Sequence, residues 1–361
     1  MAQSIKLKGL IEGLGLIEGY ERERMQRISF ILGTAFLQFR LATWHMSISS
    51  IEAAAENKQI LITEDNNKTS RWNGWWLPFP SELPYMDDAR NKAAVLTTMA
   101  CYDTGCMSLL ATQLVEGLEI LLEEVVLRRK SYNRSTTVRF TNNLMDLNDH
   151  DFWVIRATSH LTGQQWTMHL TGAQYNIHNE WCGMPWADFC KIHVHRILAI
   201  KPFGTLHKYA KTIAQTKTVK GMETDVQLQA VQAFHDAVDP AMKKKGLVWS
   251  NILFKNDDDF ARHTEKILRV GNKAVQKYVE TTQLTKRRQK AERYEKRHRE
   301  EVAAEEKKIC EEVLGYQPQF FERVVSGVTW RMSDHLPPAS EGLQEGVEVL
   351  KDESAENVED N

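Results

Sequence analysis

The stretch HDFWVIRATSHLTGQQWTMHLTGAQYN, residues 150–176, decides how the middle of the chain folds. Its two halves, 152–158 and 164–171, are rich in the β-branched and aromatic residues that are typical of strands. Between them, Gly163 tolerates the positive φ that a tight turn requires. The stretch therefore predicts a β-hairpin, with His150 at the head of the first strand and His169 near the end of the second.

The flanking sequence adds strands and helices to this hairpin. Residues 59–63 (QILIT) and 136–141 (TTVRFT) have the composition of short strands. Residues 108–129 predict one long helix, because apolar residues recur there at every third or fourth position. These residues are Leu110, Leu114, Leu118, Leu121, Leu122 and Val125. A group of strands with helical runs before and after it predicts an α+β fold.

Shifts in composition predict five segments along the chain. Four glycines within residues 9–19 favour a flexible start, and the acidic composition near the end favours disorder. The segments are an N-terminal helical arm (1–60), an α+β core (61–215), a helical region (216–284), a charged helix with a short connector (285–332) and a disordered acidic tail (333–361).

Composition narrows the class of protein and its partners. The chain has 361 residues and a formal net charge of −2, which gives no global attraction to nucleic acid or to membranes, so we expect neither as a partner. Its longest apolar stretch, residues 28–41, is too short to span a bilayer. Five cysteines do not suggest a disulfide framework, and the first residues lack the apolar run of a signal peptide. We expect a cytoplasmic or nuclear location.

Cys106, His150 and His169 are the candidate catalytic residues. Cys106 follows a glycine just before the predicted helix, whose free N–H groups would favour the reactive thiolate. A nucleophilic cysteine also needs a base and a group that orients this base. Neighbouring antiparallel strands can bring the start of one strand beside the end of the next, so His150 and His169 are candidates for these two roles.

This order of residues resembles the transglutaminase-like branch of the papain-like cysteine hydrolases. The resemblance covers roughly residues 95–200 and rests on Gly-Cys at a helix start, "HDFWVI" and "WTMHLTGAQ". The last segment is also similar to uncharacterised fungal proteins in which "DLTGAQ" recurs. The resemblance implies a papain-like core, with Cys106 as nucleophile, His150 as proton shuttle and backbone N–H groups at the start of the helix as oxyanion donors.

One departure from the family pattern concerns His169, which stands where the pattern has Asp or Asn. A neutral imidazole accepts a hydrogen bond but carries no negative charge to stabilise an imidazolium at His150. A carboxylate at Asp149 or Asp151 would compensate only with a different geometry. The resemblance therefore implies either an active enzyme or a catalytically impaired relative that binds peptide-like ligands.

Other interpretations of the same residues stay open. Cys106 as a small buried residue and the two histidines as structural residues form the simpler alternative, and Cys101 competes as nucleophile. The set His178, Cys182, Cys190, His193 and His195 fits no standard zinc spacing, although the last two would share a face on a strand. We expect no metal and no cofactor. The basic run 286–299 predicts a solvated helix with few coiled-coil positions, or a targeting signal.

Two functions are consistent with these patterns. The first is a cysteine-hydrolase-like protein that acts on, or binds, an amide or peptide-like ligand. The alternative is a non-enzymatic intracellular interaction or scaffold protein, in which the charged helix and the Trp-rich loop (66–84) contact a peptide or protein partner. Thiol reactivity discriminates between the two, because only the enzyme requires a thiolate at Cys106.

Overall fold

The computed structural model describes residues 2–53, 59–65, 76–130, 135–141, 145–146, 150–178 and 182–315. The helices are α1 (Ala2–Ala42), α2 (Ala89–Thr97), α3 (Ser108–Val115), α4 (Trp186–His193), α5 (Thr205–Ile213), α6 (Val219–Lys244), α7 (Trp249–Leu253), α8 (Asp257–Thr281), α9 (Thr285–Arg297) and α10 (Arg299–Ile309). The strands are β1 (Ile48–Ala53), β2 (Gln59–Glu64), β3 (Ile120–Arg129), β4 (Ser135–Arg139), β5 (Met145–Asp146), β6 (Phe152–Ser159), β7 (Gln165–Met168), β8 (Met184–Pro185) and β9 (Val194–Pro202). The predicted α+β class is confirmed. The predicted tail, 333–361, lies outside the described residues.

The predicted hairpin is present as β6 and β7 and forms the centre of a five-stranded sheet. The strand order is β8-β7-β6-β3-β9, and all neighbours run antiparallel. Ile155 lies opposite Met168, so β7 ends one residue before His169. Gly163 has a φ of 72° in the connecting turn, as the hairpin prediction requires. Among the strands that the structure describes, β9 pairs with β3 alone and forms one edge of this sheet.

The prediction of one helix over residues 108–129 is wrong. Helix α3 ends at Val115, and the chain continues after a turn as strand β3. Gly117 and Glu119 have φ values of 76° and 53°, which a right-handed helix does not accommodate. The apolar positions fit the period of a helix as well as that of a strand. Residues 120–129 form a strand because they pair with β6 and β9, which lie far away in the sequence.

Alternation along the strands gives the five-stranded sheet two faces. Ile155 and Ala157 point to one face, where they share an apolar core with α3, and this surface is called the α3 face. Phe152 and Arg156 point to the opposite side, where their side chains pack on aromatic rings of α4. This second surface is called the α4 face. The sheet therefore separates two sets of side chains.

Helix α1 contributes to the core on the α3 face. Its apolar stripe is buried there together with residues of α3, α6 and α8. The stripe consists of Met25, Ile28, Ile31, Leu32, Ala35, Phe36 and Phe39. Arg27 donates from α1 to the carbonyl oxygens of Leu253 and Lys255, which satisfies groups that the end of α7 leaves without helical partners. All described residues belong to one compact unit, Met1–Gln319.

The backbone of α1 is helical throughout residues 9–19 despite the four glycines, and the flexibility of this segment stays a prediction. The residues between the glycines include Leu, Ile and Glu, which have helix propensities that offset part of the cost of glycine.

A second sheet of four strands has the order β1-β2-β4-β5. Strands β2 and β4 confirm the predicted strands at 59–63 and 136–141, and they pair in parallel. Ile62 and Val138 are opposite each other and belong to a separate apolar cluster that also contains Phe79. Phe79 and Trp76 are buried, whereas residues 66–75 of the Trp-rich loop lie outside the described residues.

Candidate functional site

Cys106 lies in a short 3-10 helix, Asp103–Met107, that leads directly into α3. Its side chain is 2% exposed and belongs to the apolar core on the α3 face. Burial raises the pKa of this thiol far above its ordinary value, and the nearby Asp103 carboxyl raises it further. The sequence led us to expect a thiolate at this position. The thiolate is disfavoured because the cost of desolvating its charge outweighs the stabilisation that the N-terminus of the helix gives.

The space around Cys106 is too small for a substrate. Thr104 and Ser108, on either side of the cysteine, line a cavity that has room for about one water molecule. Gly105 is so close to the backbone of Leu206 that a Cβ atom would lie 2.6 Å from its carbonyl carbon. Among the described residues, the start of α5 therefore packs closely against this segment, which agrees with the burial of the Cys106 side chain.

His150 lies in the segment before β6 and forms a hydrogen bond with the Asp146 carboxylate. The Nε2–Oδ2 distance is 2.8 Å, and the carboxylate is buried while the imidazole is partly exposed. Asp146 ends β5 and was missed in the sequence, where Asp149 and Asp151 are the nearer neighbours of His150. The Asp146 carboxylate can orient the His150 imidazole, as the acidic member of a catalytic triad does. The two residues do not themselves include a nucleophile.

His169 is buried on the α4 face, between aromatic rings. Its ring centroid lies 6.0 Å from that of Phe189 and 6.4 Å from that of Phe152. Neither ring nitrogen has a hydrogen-bond partner among the described residues. Burial lowers the pKa of this imidazole to about 3, with a smaller contribution from His193. His169 is therefore a neutral, packed ring near neutral pH.

The structure does not bring Cys106 and His169 together. Cys106 shares the α3 face with Met168 and Ile155, whereas the neighbouring His169 ring points to the α4 face. The sheet thus lies between the sulfur and this imidazole. Cys106 forms no hydrogen bond with a histidine in the part of the chain that the structure describes. The structure therefore separates Cys106 from His169 in this conformation, and the catalytic role of Cys106, His150 and His169 stays a prediction.

Cys101, the competing nucleophile, is also buried. Its sulfur lies 3.4 Å from the Tyr175 hydroxyl and accepts from the Gln174 amide at 3.5 Å. These contacts lower the pKa of the thiol, but burial is the largest influence and raises it overall. Cys101 therefore acts as part of a buried polar cluster in which each member has a partner.

The residues considered for zinc are spread over several elements. His193 ends α4 and is buried, while His195 lies on β9 and is exposed, so the prediction that both share a strand face is wrong. Cys182 bonds through its sulfur to the backbone of His169. Within the described ranges, no group of three or more His, Cys, Asp or Glu side chains is placed to hold a metal ion.

The edge strand β9 exposes an unusual number of apolar side chains. The exposed fractions of Ile197, Leu198 and Ile200 are 41%, 37% and 47%. Ile197 lies opposite Leu127 and Ile200 lies opposite Val125, so both isoleucines belong to the α4 face. Ile192, on the neighbouring α4, is 48% exposed. An exposed apolar row beside unpaired backbone groups is the feature that edge strands usually avoid.

The opposite side of β9 is basic. Arg196 lies directly opposite Arg128 of β3, and Lys201 lies opposite Glu124. The Glu124 carboxylate accepts instead from the backbone N–H groups of Gly204 and Leu206. Among the described residues, no carboxylate forms an ion pair with any of these three cations. Like charges opposite each other destabilise a sheet, so the arginine pair opposes folding unless something neutralises it.

Comparison with known proteins assigns neither a family nor a function to the chain. The chain matches no protein family, no curated protein and no solved structure. Within the described residues, none of the helices combines the length and apolar character needed to cross a lipid bilayer. Function must therefore be inferred from the chemistry of the residues themselves.

Proposed function

We propose that the chain is a non-enzymatic interaction protein that binds an extended segment of a partner along β9. The observation that carries this proposal is the exposed apolar row on an edge strand whose outer side pairs with no strand in the described part of the chain. A partner strand would hydrogen bond to the free edge, and its alternate side chains would cover Ile197 and Ile200. The predicted peptide or protein ligand fits this mode of binding.

Strand length supports the proposal. Strand β9 has nine residues and pairs with β3 over most of its length, so it presents a long, well-supported edge. Two irregularities in the pairing, near Leu198 and His195, bend the strand without covering its outer side. An edge of this length would add several main-chain hydrogen bonds to the contacts of the two isoleucines.

The hydrolase prediction has less support. A helix start packed on an antiparallel sheet, together with the hydrogen bond between His150 and Asp146, is consistent with the predicted papain- or transglutaminase-like core. The burial of Cys106 and the position of His169 on the opposite face do not favour catalysis. Both the finer fold and the enzymatic function stay predictions, and thiol reactivity tests them.

Hydrogen–deuterium exchange on the full chain tests strand addition directly. The probes are blocked peptides of about eight residues that alternate valine with glutamate, lysine or threonine. We expect at least one probe to slow exchange across residues 194–202. The variant Ile200→Asn should weaken binding of that probe about tenfold, because it removes a central apolar contact.

Leu161→Asn is the matched control for this experiment. Leu161 is 71% exposed in the turn between β6 and β7, away from the β9 edge. Its substitution should leave binding unchanged. Strand addition at β9 is excluded if no probe protects residues 194–202, or if both variants weaken binding equally.

A further inference from the structure

We infer that the segment recognised at β9 is acidic on one side and apolar on the other, an extended strand in which carboxylates alternate with aliphatic residues. This inference rests on the proposed function and specifies its partner. Its basis is the division of the β9 edge into a row of isoleucines on the α4 face and a row of cations on the α3 face. An added strand continues both faces of the sheet.

The exposed isoleucines on the α4 face are the reason to expect aliphatic residues in the partner. Ile197 and Ile200 are separated by one irregularity, which places them as neighbours on this face although they are three residues apart. The exposed Ile192 of α4 lies on the helix that leads into the strand. Aliphatic residues at alternate positions of a partner strand would be buried against this row.

The basic side chains on the α3 face are the reason to expect acidic residues in the partner. Arg128 and Arg196 are exposed and opposite each other, and Lys201 follows on the same side of the strand. A carboxylate on an added strand would lie beside Arg196 and reduce its repulsion of Arg128. Partner binding would therefore remove an unfavourable interaction as well as create a favourable one.

A second copy of this chain fits the edge less well. Two β9 strands paired about a two-fold axis would bring the Arg196 and Lys201 rows of both copies to one face of the joint sheet. No carboxylate on β9 would offset this concentration of positive charge, because its sequence VHRILAIKP contains none. The charge pattern therefore favours an acidic partner over self-association.

The acidic balance of the chain lies in residues 316–361. They contain ten acidic and three basic residues, so the first 315 residues carry a net charge of +5. The whole chain carries −2, so attraction of an acidic segment depends on the local charges of the β9 edge, which act over about a Debye length.

Binding of the three alternating peptides to the full chain tests the inference. The Val/Glu peptide should bind at least about fivefold more tightly than Val/Thr, and Val/Lys should bind most weakly. Its affinity should fall as salt rises from about 0.05 to 0.5 M, whereas that of Val/Thr should not. The variant Arg196→Glu should weaken Val/Glu about fivefold and improve Val/Lys.

Lys244→Glu is the control for total charge, because Lys244 is exposed at the end of α6 and changes the net charge by the same amount. Equal binding of Val/Glu and Val/Thr, with no effect of Arg196→Glu, overturns the acidic partner and leaves strand addition standing. Protection by none of the peptides overturns both proposals. A peptide-free dimer whose residues 194–202 are already protected assigns the edge to a second copy and also overturns the inference.

Discussion

Glu124 shows how a buried group can depend on a few backbone atoms. Its two carboxylate oxygens accept from Gly204 and Leu206 at 3.0 and 2.9 Å, which joins β3 to the start of α5. These bonds favour the charged form, but burial opposes it more strongly and raises the pKa from 4.5 to about 7. The charge of this group therefore changes within the range of ordinary buffers.

We predict that Glu124 makes the folded chain less stable as the pH rises. The folded state binds this proton more tightly than the unfolded chain, so the stabilisation is complete below about pH 4.5 and is lost as the pH approaches 7. The difference in pKa corresponds to roughly 3 kcal/mol. The stability of the wild type relative to Glu124→Gln, measured by urea unfolding between about pH 5 and 8, should fall as the pH rises, because groups common to both proteins cancel in the difference.

Glu123→Gln is the control for this measurement. Glu123 is the preceding residue of β3 and pairs with Arg156 on the α4 face, where its side chain is 24% exposed. Because Glu124 is intact in this variant, its free energy of unfolding should depend on pH as that of the wild type does. Parallel pH profiles for wild type and Glu124→Gln would show that Glu124 keeps an ordinary pKa in the folded chain.

At the scale of elements, the contact between α6 and α8 depends on a glycine. A Cβ atom at Gly271 would lie 2.2 Å from two ring carbons of Phe234. We predict that Gly271→Ala lowers the free energy of unfolding by about 1–3 kcal/mol, because the ring has to move within a packed core. Urea unfolding at constant pH measures this loss.

Gly33→Ala gives the opposite result in the same assay. Gly33 lies within α1, and a Cβ atom there would meet nothing within 4 Å. Alanine should therefore stabilise the chain by about 0.5–1 kcal/mol through helix propensity alone. If both variants destabilise equally, close packing at Gly271 does not explain the effect.

Strands set by local composition were predictable, and elements set by distant contacts were not. The β6–β7 hairpin, β2 and β4 follow from β-branched residues and turn glycines within a few positions. Strand β3 was predicted as helix because its leucines fit both periods. Only burial between β6 and β9 distinguishes the two, and that burial depends on residues roughly 25 to 80 positions away.

At the scale of the whole molecule, the candidate residues could be selected by type but not by position. Sequence order suggested Cys106 as nucleophile, His150 as its base and His169 as the group that orients His150. Strand alternation places the His169 imidazole on the face of the sheet opposite the Cys106 sulfur. The Asp146 partner of His150 had no distinguishing signal among neighbouring carboxylates. The β9 edge had no signal either, since HVHRILAI shows its exposure only after the strand order is known.

Thiol reactivity tests the whole arrangement of cysteines. Cys190 is partly exposed, whereas Cys101, Cys106, Cys182 and Cys310 are buried. We predict that a thiol reagent modifies about one cysteine quickly in the native chain and all five in denaturant, with Cys190 identified by mass spectrometry. Modification of Cys106 as fast as that of Cys190 would contradict the structure and restore support for the nucleophile prediction.

The position of α1 in the core has a consequence for biosynthesis. Its apolar stripe is synthesised well before the segments that cover it, since Arg27 bonds to carbonyl oxygens 226 and 228 residues later in the chain. Until α7 and α8 have emerged from the ribosome, the apolar side chains of this stripe lack the residues that bury them in the folded chain. Contacts between residues so far apart in sequence slow folding. We expect the nascent chain to be a client of ribosome-associated chaperones, with α1 as the segment that they hold.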